Sequence, residues 1–212
     1  MQKNIEFSIE KIIKSAWHRF SHNRIFWIGV ALLSLSMSIP GNIFPALGIL
    51  FTLVSCYISA SVIRISINYM QGHLVNYNDF FQIDIMQFFN YLAALILCSV
   101  SILLGFLFFV IPGIYLMTRL IFVQYFVIDK KISFDAAIKR SWKITKGNEI
   151  NLLAFLFAMV IIFVLGFLAF VVGVVVAIPI TQLSTAKLYL TFLNDENISD
   201  LKEDLSINVN YE

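Results

Sequence analysis

Long apolar runs separated by short polar segments dominate this chain, and they favour a bundle of membrane-spanning helices. A run of about 20 apolar residues forms a helix that crosses the hydrocarbon core of a bilayer. The pattern predicts an all-α fold, a polytopic transmembrane helix bundle, in one membrane domain over residues 1–194. Its six expected spans lie at about 25–40, 43–70, 87–111, 114–128, 150–170 and 174–194.

Two further segments carry apolar and basic residues on opposite helical faces, which is typical of helices that lie in the membrane interface. The first covers residues 5–22 and includes Trp17 in its apolar stripe. The second covers residues 133–146, with Ser133 as the expected N-cap and Gly147 just past the end. We expect both stripes to face the acyl chains, although a stripe packed on protein would look the same.

The boundaries between spans depend on turn residues. An Ile-Pro-Gly triplet occurs twice, at 39–41 and 111–113, each time between two apolar runs. Proline ends a helix and glycine permits a tight turn, so both triplets are expected hairpin apices. No proline marks the third turn, which we place near Phe170–Gly173 because 150–194 is too long for one span. A single kinked span there would give five crossings instead of six.

The positions of the charges predict the orientation. Of the 15 Lys and Arg residues, five precede Ile25 and six lie between Lys130 and Lys146. Segments rich in Lys and Arg stay in the cytoplasm, so both termini and both amphipathic helices are expected there, in a bacterial inner membrane. The first span is expected to act as its own signal anchor. The tail, residues 195–212, holds six acids and one lysine and is expected to be disordered.

Composition narrows the possible chemistry. The chain is 59% hydrophobic and 13% charged, against about 45–50% and about 25% for a soluble domain. The three histidines are too scattered for a zinc site, and the two cysteines predict no disulfide framework. No acid lies well inside an expected span, which weighs against a proton- or sodium-coupled pump and against hydrolytic chemistry. We therefore expect no catalytic residue, no metal and no cofactor.

Arg119 is the intramembrane charge that stands out. It lies nine residues, about 13 Å, before the expected helix end at Ile128. An arginine near the bilayer centre costs about 2.5–3.5 kcal/mol, so the side chain should face the bundle or reach towards the surface. Two roles stay open. One is contact with an anionic lipid phosphate or a substrate, and the other is helix packing through carbonyls or through Gln182, Thr185 or Asp129.

The two amphipathic segments share a spacing that favours an internal repeat of amphipathic helix, span, turn and span. In each segment an asparagine follows a tryptophan by six residues and an isoleucine comes two residues later: Trp17, Asn23 and Ile25, then Trp142, Asn148 and Ile150. Chance similarity among apolar segments explains the spacing equally well.

The stretch from 112 to 150 resembles a broad set of bacterial membrane proteins, among them the membrane domain joined to some glycerophosphoryl diester phosphodiesterases. The resemblance is carried by Pro112, Gly113, Ile114, Tyr115, Leu116, Arg119, Asp129, Ser133, Ala137, Ser141, Trp142, Thr145, Lys146 and Gly147. It differs near Tyr125, where relatives often have proline, and at Asp129, where they often have glutamate.

The resemblance implies a six-helix inner-membrane module. No catalytic domain is apparent in this sequence, so phosphodiesterase activity is not carried over. The candidate residues for packing or lipid contact are Pro112, Gly113, Arg119, Asp129, Ser133, Ser141, Trp142, Lys146 and Gly147.

These features favour a non-enzymatic integral membrane protein that supports or regulates partner proteins or lipids. The alternative is a transporter or exporter component, or a self-protection protein of the immunity type. That alternative is favoured by the polar face of the sixth span, which carries Thr181 and Thr185. The expected partners are the lipid bilayer, its anionic headgroups, and either another membrane protein or a second copy of the chain. Nucleic acid is not an expected partner.

Overall fold

The chain folds into α-helices, and the expected all-α class is confirmed. The computed structural model describes residue 5 and residues 7–38 and 48–209. For residues 37–38, 170–172 and 199–209 it describes the backbone only. The helices of these ranges are α1 (Ile9–His22), α2 (Arg24–Ser38), α3 (Gly48–Gln71), a 3-10 helix (Tyr77–Phe81), α4 (Ile85–Phe108), α5 (Val110–Leu120), α6 (Val123–Lys130), α7 (Phe134–Thr145), α8 (Glu149–Leu168) and α9 (Phe170–Val209).

Among the residues that the structure describes, five segments are long and apolar enough to cross a membrane. They are Gly48–Gln71, Ile85–Phe108, Val110–Lys130, Glu149–Leu168 and Gly173–Ile198. A further apolar helix, α2, has 15 described residues, which reach about 22 Å against about 30 Å of hydrocarbon. Its expected turn at Ile39–Gly41 lies outside the described residues.

Burial divides the spans into an outer and an inner set. Only 22% of the most apolar window of α4 and 17% of that of α8 is buried, against 56% for both Val110–Lys130 and Gly173–Ile198. Large apolar side chains on the outer helices are therefore available to acyl chains. The combined α5–α6 segment and α9 form the centre of the bundle.

The hairpin between α4 and α5 turns at Phe109, which has an extended backbone (φ −162°, ψ 156°). The predicted apex at Pro112–Gly113 is wrong. Pro112 lies in the first turn of α5, where its missing N–H group is not needed for a helical hydrogen bond. Gly113 packs against Gly105 of α4, where an added Cβ would lie only 2.9 Å from the Gly113 Cα atom. The glycine therefore permits close helix packing instead of forming the turn.

The hairpin between α8 and α9 uses the same arrangement. It turns at Ala169, one residue before the range predicted for it, Phe170–Gly173. Gly173 lies inside α9. A Cβ added to Gly166 of α8 would be 2.8 Å from the Gly173 carbonyl oxygen. The prediction placed the turn too late because this glycine serves the contact between the two helices.

The apolar stripe of α1 packs on protein, and the expectation that it faces acyl chains is wrong. Ile12, Ala16 and Phe20 are buried, and the helix packs along α9. The Phe7 and Phe192 rings meet edge to face at 5.6 Å. The last span extends far enough to offer an apolar surface to this stripe, while Trp17 remains exposed.

The last helix continues beyond residue 194, where the sequence predicts a disordered tail. Glu196 is buried, and its carboxylate accepts two hydrogen bonds at Oε2, from Nε and Nη2 of Arg140 in α7, at 3.1 and 2.9 Å. The prediction of disorder is wrong for these first tail residues, because the ion pair with Arg140 fixes them to α7.

The two amphipathic segments repeat in local burial but not in packing. Ala16 and Ser141 are both fully buried, and Ile25 and Ile150 are both highly exposed. Yet α1 packs mainly on α9, whereas α7 packs mainly on α6, α5 and α4 and meets α9 less extensively. The repeated spacing therefore corresponds to a similar local pattern whose two copies have different main partners.

Replacing Gly105 by alanine should lower the stability of the bundle by about 1–3 kcal/mol, because the added methyl group meets backbone atoms that cannot move aside. Thermal unfolding of the purified protein in detergent measures the effect. The matched control is Gly29→Ala, whose new Cβ would meet only the hydroxyl of Tyr77, at 3.3 Å. Equal melting temperatures for the two variants would contradict the role of Gly105.

Glu196→Gln should destabilise the contact between α7 and α9 by about 1 kcal/mol, since the Arg140 guanidinium is only partly exposed and would lose its charged partner. The neighbouring change Asp195→Asn removes the same charge from a residue that forms no ion pair with the described residues, and it should have little effect. Protection of the α7 and distal α9 amides in hydrogen exchange is the measurement. A larger loss for Asp195→Asn would argue against this contact.

Candidate functional site around Arg119

Arg119 lies in the last turn of α5 and has 2% of its surface exposed. Its Nη1 atom is 3.3 Å from Oε1 of Glu149 and donates to Oγ1 of Thr145, also at 3.3 Å. The guanidinium is thus held by a carboxylate at the first residue of α8 and by a hydroxyl at the end of α7. A buried charge is tolerated only when it has such partners.

Two aromatic rings cover the same guanidinium. Its central carbon lies 4.7 Å from the Trp142 ring centroid and 5.6 Å from that of Tyr115. The two rings meet each other edge to face at 5.9 Å. Cation–π contacts of this kind contribute up to about 2 kcal/mol when water is excluded. The rings therefore stabilise the positive charge in addition to the carboxylate and the hydroxyl.

Ser141 and Thr145 connect α7 to the end of α5. The last carbonyl groups of a helix have no partner within it, and Ser141 Oγ donates to the Arg119 carbonyl oxygen at 2.7 Å. Thr145 Oγ1 in turn donates to the Ser141 carbonyl oxygen at 2.7 Å while it accepts from the arginine. Both the backbone and the side chain of Arg119 are thus bonded to α7.

The partners predicted for Arg119 are wrong. The side chain extends towards the junction of α7 and α8, whereas Thr185 Oγ1 donates to the Thr181 carbonyl oxygen of its own helix. Sequence reasoning missed Glu149, which is separated from Arg119 by thirty residues. Its position offered a signal, because it is the acid at the start of the apolar run that follows Gly147.

Asp129 forms a separate contact at the end of α6. Its Oδ2 atom accepts a hydrogen bond from the Tyr189 hydroxyl of α9 at 2.8 Å and lies 3.0 Å from Nζ of Lys130. The contact binds the two central segments of the bundle at the end where the charges collect.

The remaining candidate residues shape helix ends. Ser133 Oγ accepts from the Ala136 N–H at 3.5 Å and caps α7. Lys146 follows α7 and is exposed, and Gly147 has a φ of 85°, which favours glycine. Pro112 and Gly113 lie in the opposite end of α5. The structure thus brings together Arg119, Ser141 and Trp142, and adds Tyr115, Thr145 and Glu149.

The bundle of apolar helices defines this chain as a multi-pass integral membrane protein. Residues 90–194 match the family model described as the membrane domain of glycerophosphoryl diester phosphodiesterase. The resemblance predicted from the sequence is therefore confirmed over α4 to α8 and much of α9, a stretch that includes the whole Arg119 cluster. The matched family is a membrane domain and not a catalytic domain. Comparison with curated proteins and with solved structures gives no match.

Glu149→Gln should destabilise the protein by about 2 kcal/mol, because a buried guanidinium would lose the charge that compensates it. Thermal unfolding in detergent measures the change. The control is Glu10→Gln, which breaks an exposed ion pair with Lys14 on α1 and should cost little. If both variants unfold at the temperature of the original chain, Glu149 is not a structural partner of Arg119.

Proposed function

We propose that this chain is a non-enzymatic protein of the bacterial cytoplasmic membrane that supports or regulates partner proteins or lipids at the cytoplasmic surface. The observation that carries the proposal is the gathering of α1, α7 and the distal part of α9 at one end of the bundle. The backbone N–H of Ile5 donates to Oδ1 of Asn148 at 3.0 Å, and Arg140 pairs with Glu196. The hydrogen bond joins the first basic segment to the end of the second, and the ion pair joins α7 to α9, on which α1 packs.

The charge at this end supports both the orientation and the type of partner. Eleven of the 15 Lys and Arg residues precede Ile25 or lie between Lys130 and Lys146. Lysines on both segments are exposed, among them Lys14, Lys139 and Lys146. Each cation near an anionic lipid surface contributes about 1 kcal/mol of attraction. A cytoplasmic location of both termini would direct these cations at anionic headgroups or at an acidic partner.

The contacts of Arg119 support a structural role for the most deeply buried charge. Its side chain is enclosed by Glu149, Thr145 and two aromatic rings, so a headgroup or a substrate has little access to it. The family match concerns a membrane domain and does not imply enzymatic activity. Packing is therefore the role that we assign to Arg119.

The transporter or exporter alternative depends on the polar face of the last span. There, the hydroxyl of Thr181 donates to the Ile178 carbonyl oxygen and that of Thr185 to the Thr181 carbonyl oxygen, both at 2.8 Å. Hydroxyls bonded to their own helix offer less to a passing solute. This observation favours the first proposal over the alternative.

Extraction of the full chain into polymer-bounded discs that retain native lipid tests the proposal. We expect enrichment of anionic lipid or of one membrane protein over the bulk membrane, measured by mass spectrometry. Changing Lys139, Lys143 and Lys146 together to Gln should reduce that enrichment more than tenfold, since three cations are lost. The matched triple change to Arg keeps the charge and should preserve the enrichment.

Two results together would overturn the proposal in favour of transport. The first is a composition of the discs that equals that of the bulk membrane. The second is modification of Thr181→Cys and Thr185→Cys by a water-soluble thiol reagent in intact membranes, which would show a water-filled path beside the last span.

A further inference from the structure

A cleft of about 510 Å³ lies between the start of α1 and the distal part of α9. It is open to the surroundings, and its size is within the range of clefts that hold small ligands, about 300–1,000 Å³. The lining combines apolar and polar side chains from both helices: Phe7, Ser8, Lys11, Ile12, Lys187 and Thr191. Two of these six residues are lysines.

Neither lysine has an acidic partner among the described residues. The basic residues that form ion pairs within the described part of the chain are Lys14, Lys130, Lys139, Arg119 and Arg140. Lys187 is half-buried within the last span, where an uncompensated cation is costly unless it meets an anion or water. The cleft therefore presents two positive charges that the described fold does not neutralise.

The start of α1 adds donors to the same cleft. Ser8 caps this helix by accepting from the Lys11 N–H, which leaves its own hydroxyl proton available. The first N–H groups of a helix lack internal partners and carry a partial positive charge, which favours anions. Glu10, the acid in this turn, is exposed and paired with Lys14.

The cleft lies on the same stretch of α9 as the polar contact at the end of α6. Lys187 precedes Tyr189 by two residues, about 3 Å along the helix, and Tyr189 bonds to Asp129 beside the exposed Lys130. These residues mark the charged end of α6. Phe7 and Ile12 supply apolar walls next to the two ammonium groups.

From this combination we infer that the cleft binds the phosphate of an anionic phospholipid headgroup, with Lys11 and Lys187 on the phosphate and the apolar walls against the glycerol and the start of the acyl chains. The inference rests on the proposed function and names one lipid site within it. A phospholipid headgroup and a soluble phosphate present the same chemical group, so soluble phosphate is the competing ligand.

Titration of the purified full chain in neutral detergent tests the site, with the apparent melting temperature as the readout. Phosphatidylglycerol should raise this temperature by several degrees, and phosphatidylcholine and inorganic phosphate should raise it less. In the double variant Lys11→Gln/Lys187→Gln the apparent affinity for phosphatidylglycerol should fall about thirtyfold, because two cations are lost.

The control for the single Gln variants is Arg64→Gln, which removes one cation from α3, outside the cleft and outside both basic segments, and should bind normally. Lys11→Arg/Lys187→Arg keeps both charges and should also bind. If the Gln variant fails to fold, native mass spectrometry of the Arg variant and of the two single Gln variants decides the question, because each single change should lower phospholipid retention about fivefold.

Retention of phosphatidylglycerol by the Gln variant at the level of the original chain would overturn the inference and leave the proposed function standing. If the original chain retains no anionic lipid and no protein partner, both fail. Stabilisation by inorganic phosphate equal to that by phosphatidylglycerol, and lost in the Gln variant, would overturn the lipid assignment in favour of a soluble phosphate.

Discussion

A guanidinium removed from water in the middle of a helical bundle requires compensation, and the arrangement of α5, α7 and α8 follows from that requirement. The side chain of Arg119 reaches the junction of α7 and α8, where Glu149 and Thr145 meet it. Because the carbonyl group of Arg119 also bonds to Ser141, α7 is fixed to α5 at two points. That helix in turn holds the distal part of α9 through Arg140. The side chain and carbonyl group of one residue thus connect α5, α7 and α8.

The two ends of the bundle are held by different forces. Ion pairs and hydrogen bonds collect at the end that carries α1 and α7. At the other end the hairpins turn at Phe109 and Ala169, and pairs of glycines let the helices approach until backbone atoms touch. Dispersion forces between close backbones suit an environment with no hydrophobic driving force between helices. Polar contacts suit the interface, where water and headgroups are near.

Local signals in the sequence were sufficient for the elements but not for their partners. Ser133 and Gly147 predict the ends of α7 because capping involves neighbouring residues only. The stripe of α1 was assigned to lipid because acyl chains and the last span are equally apolar, so periodicity cannot tell them apart. Gly113 and Gly173 were assigned to turns because a glycine required for close approach looks the same in sequence. Glu149 escaped notice because its place at the start of an apolar run does not identify the distant residue with which it pairs.

The packing of α1 on α9 also has a consequence for the order in which the protein is assembled. A chain leaves the ribosome from its N-terminus, so α1 is made well before the surface of α9 that buries Ile12, Ala16 and Phe20. Until α9 has entered the membrane, this stripe must be covered by lipid or by another protein. The first helix of this pair therefore reaches its final place only after α9 has been made, and an amphipathic segment able to rest temporarily on a membrane surface is well suited to that interval.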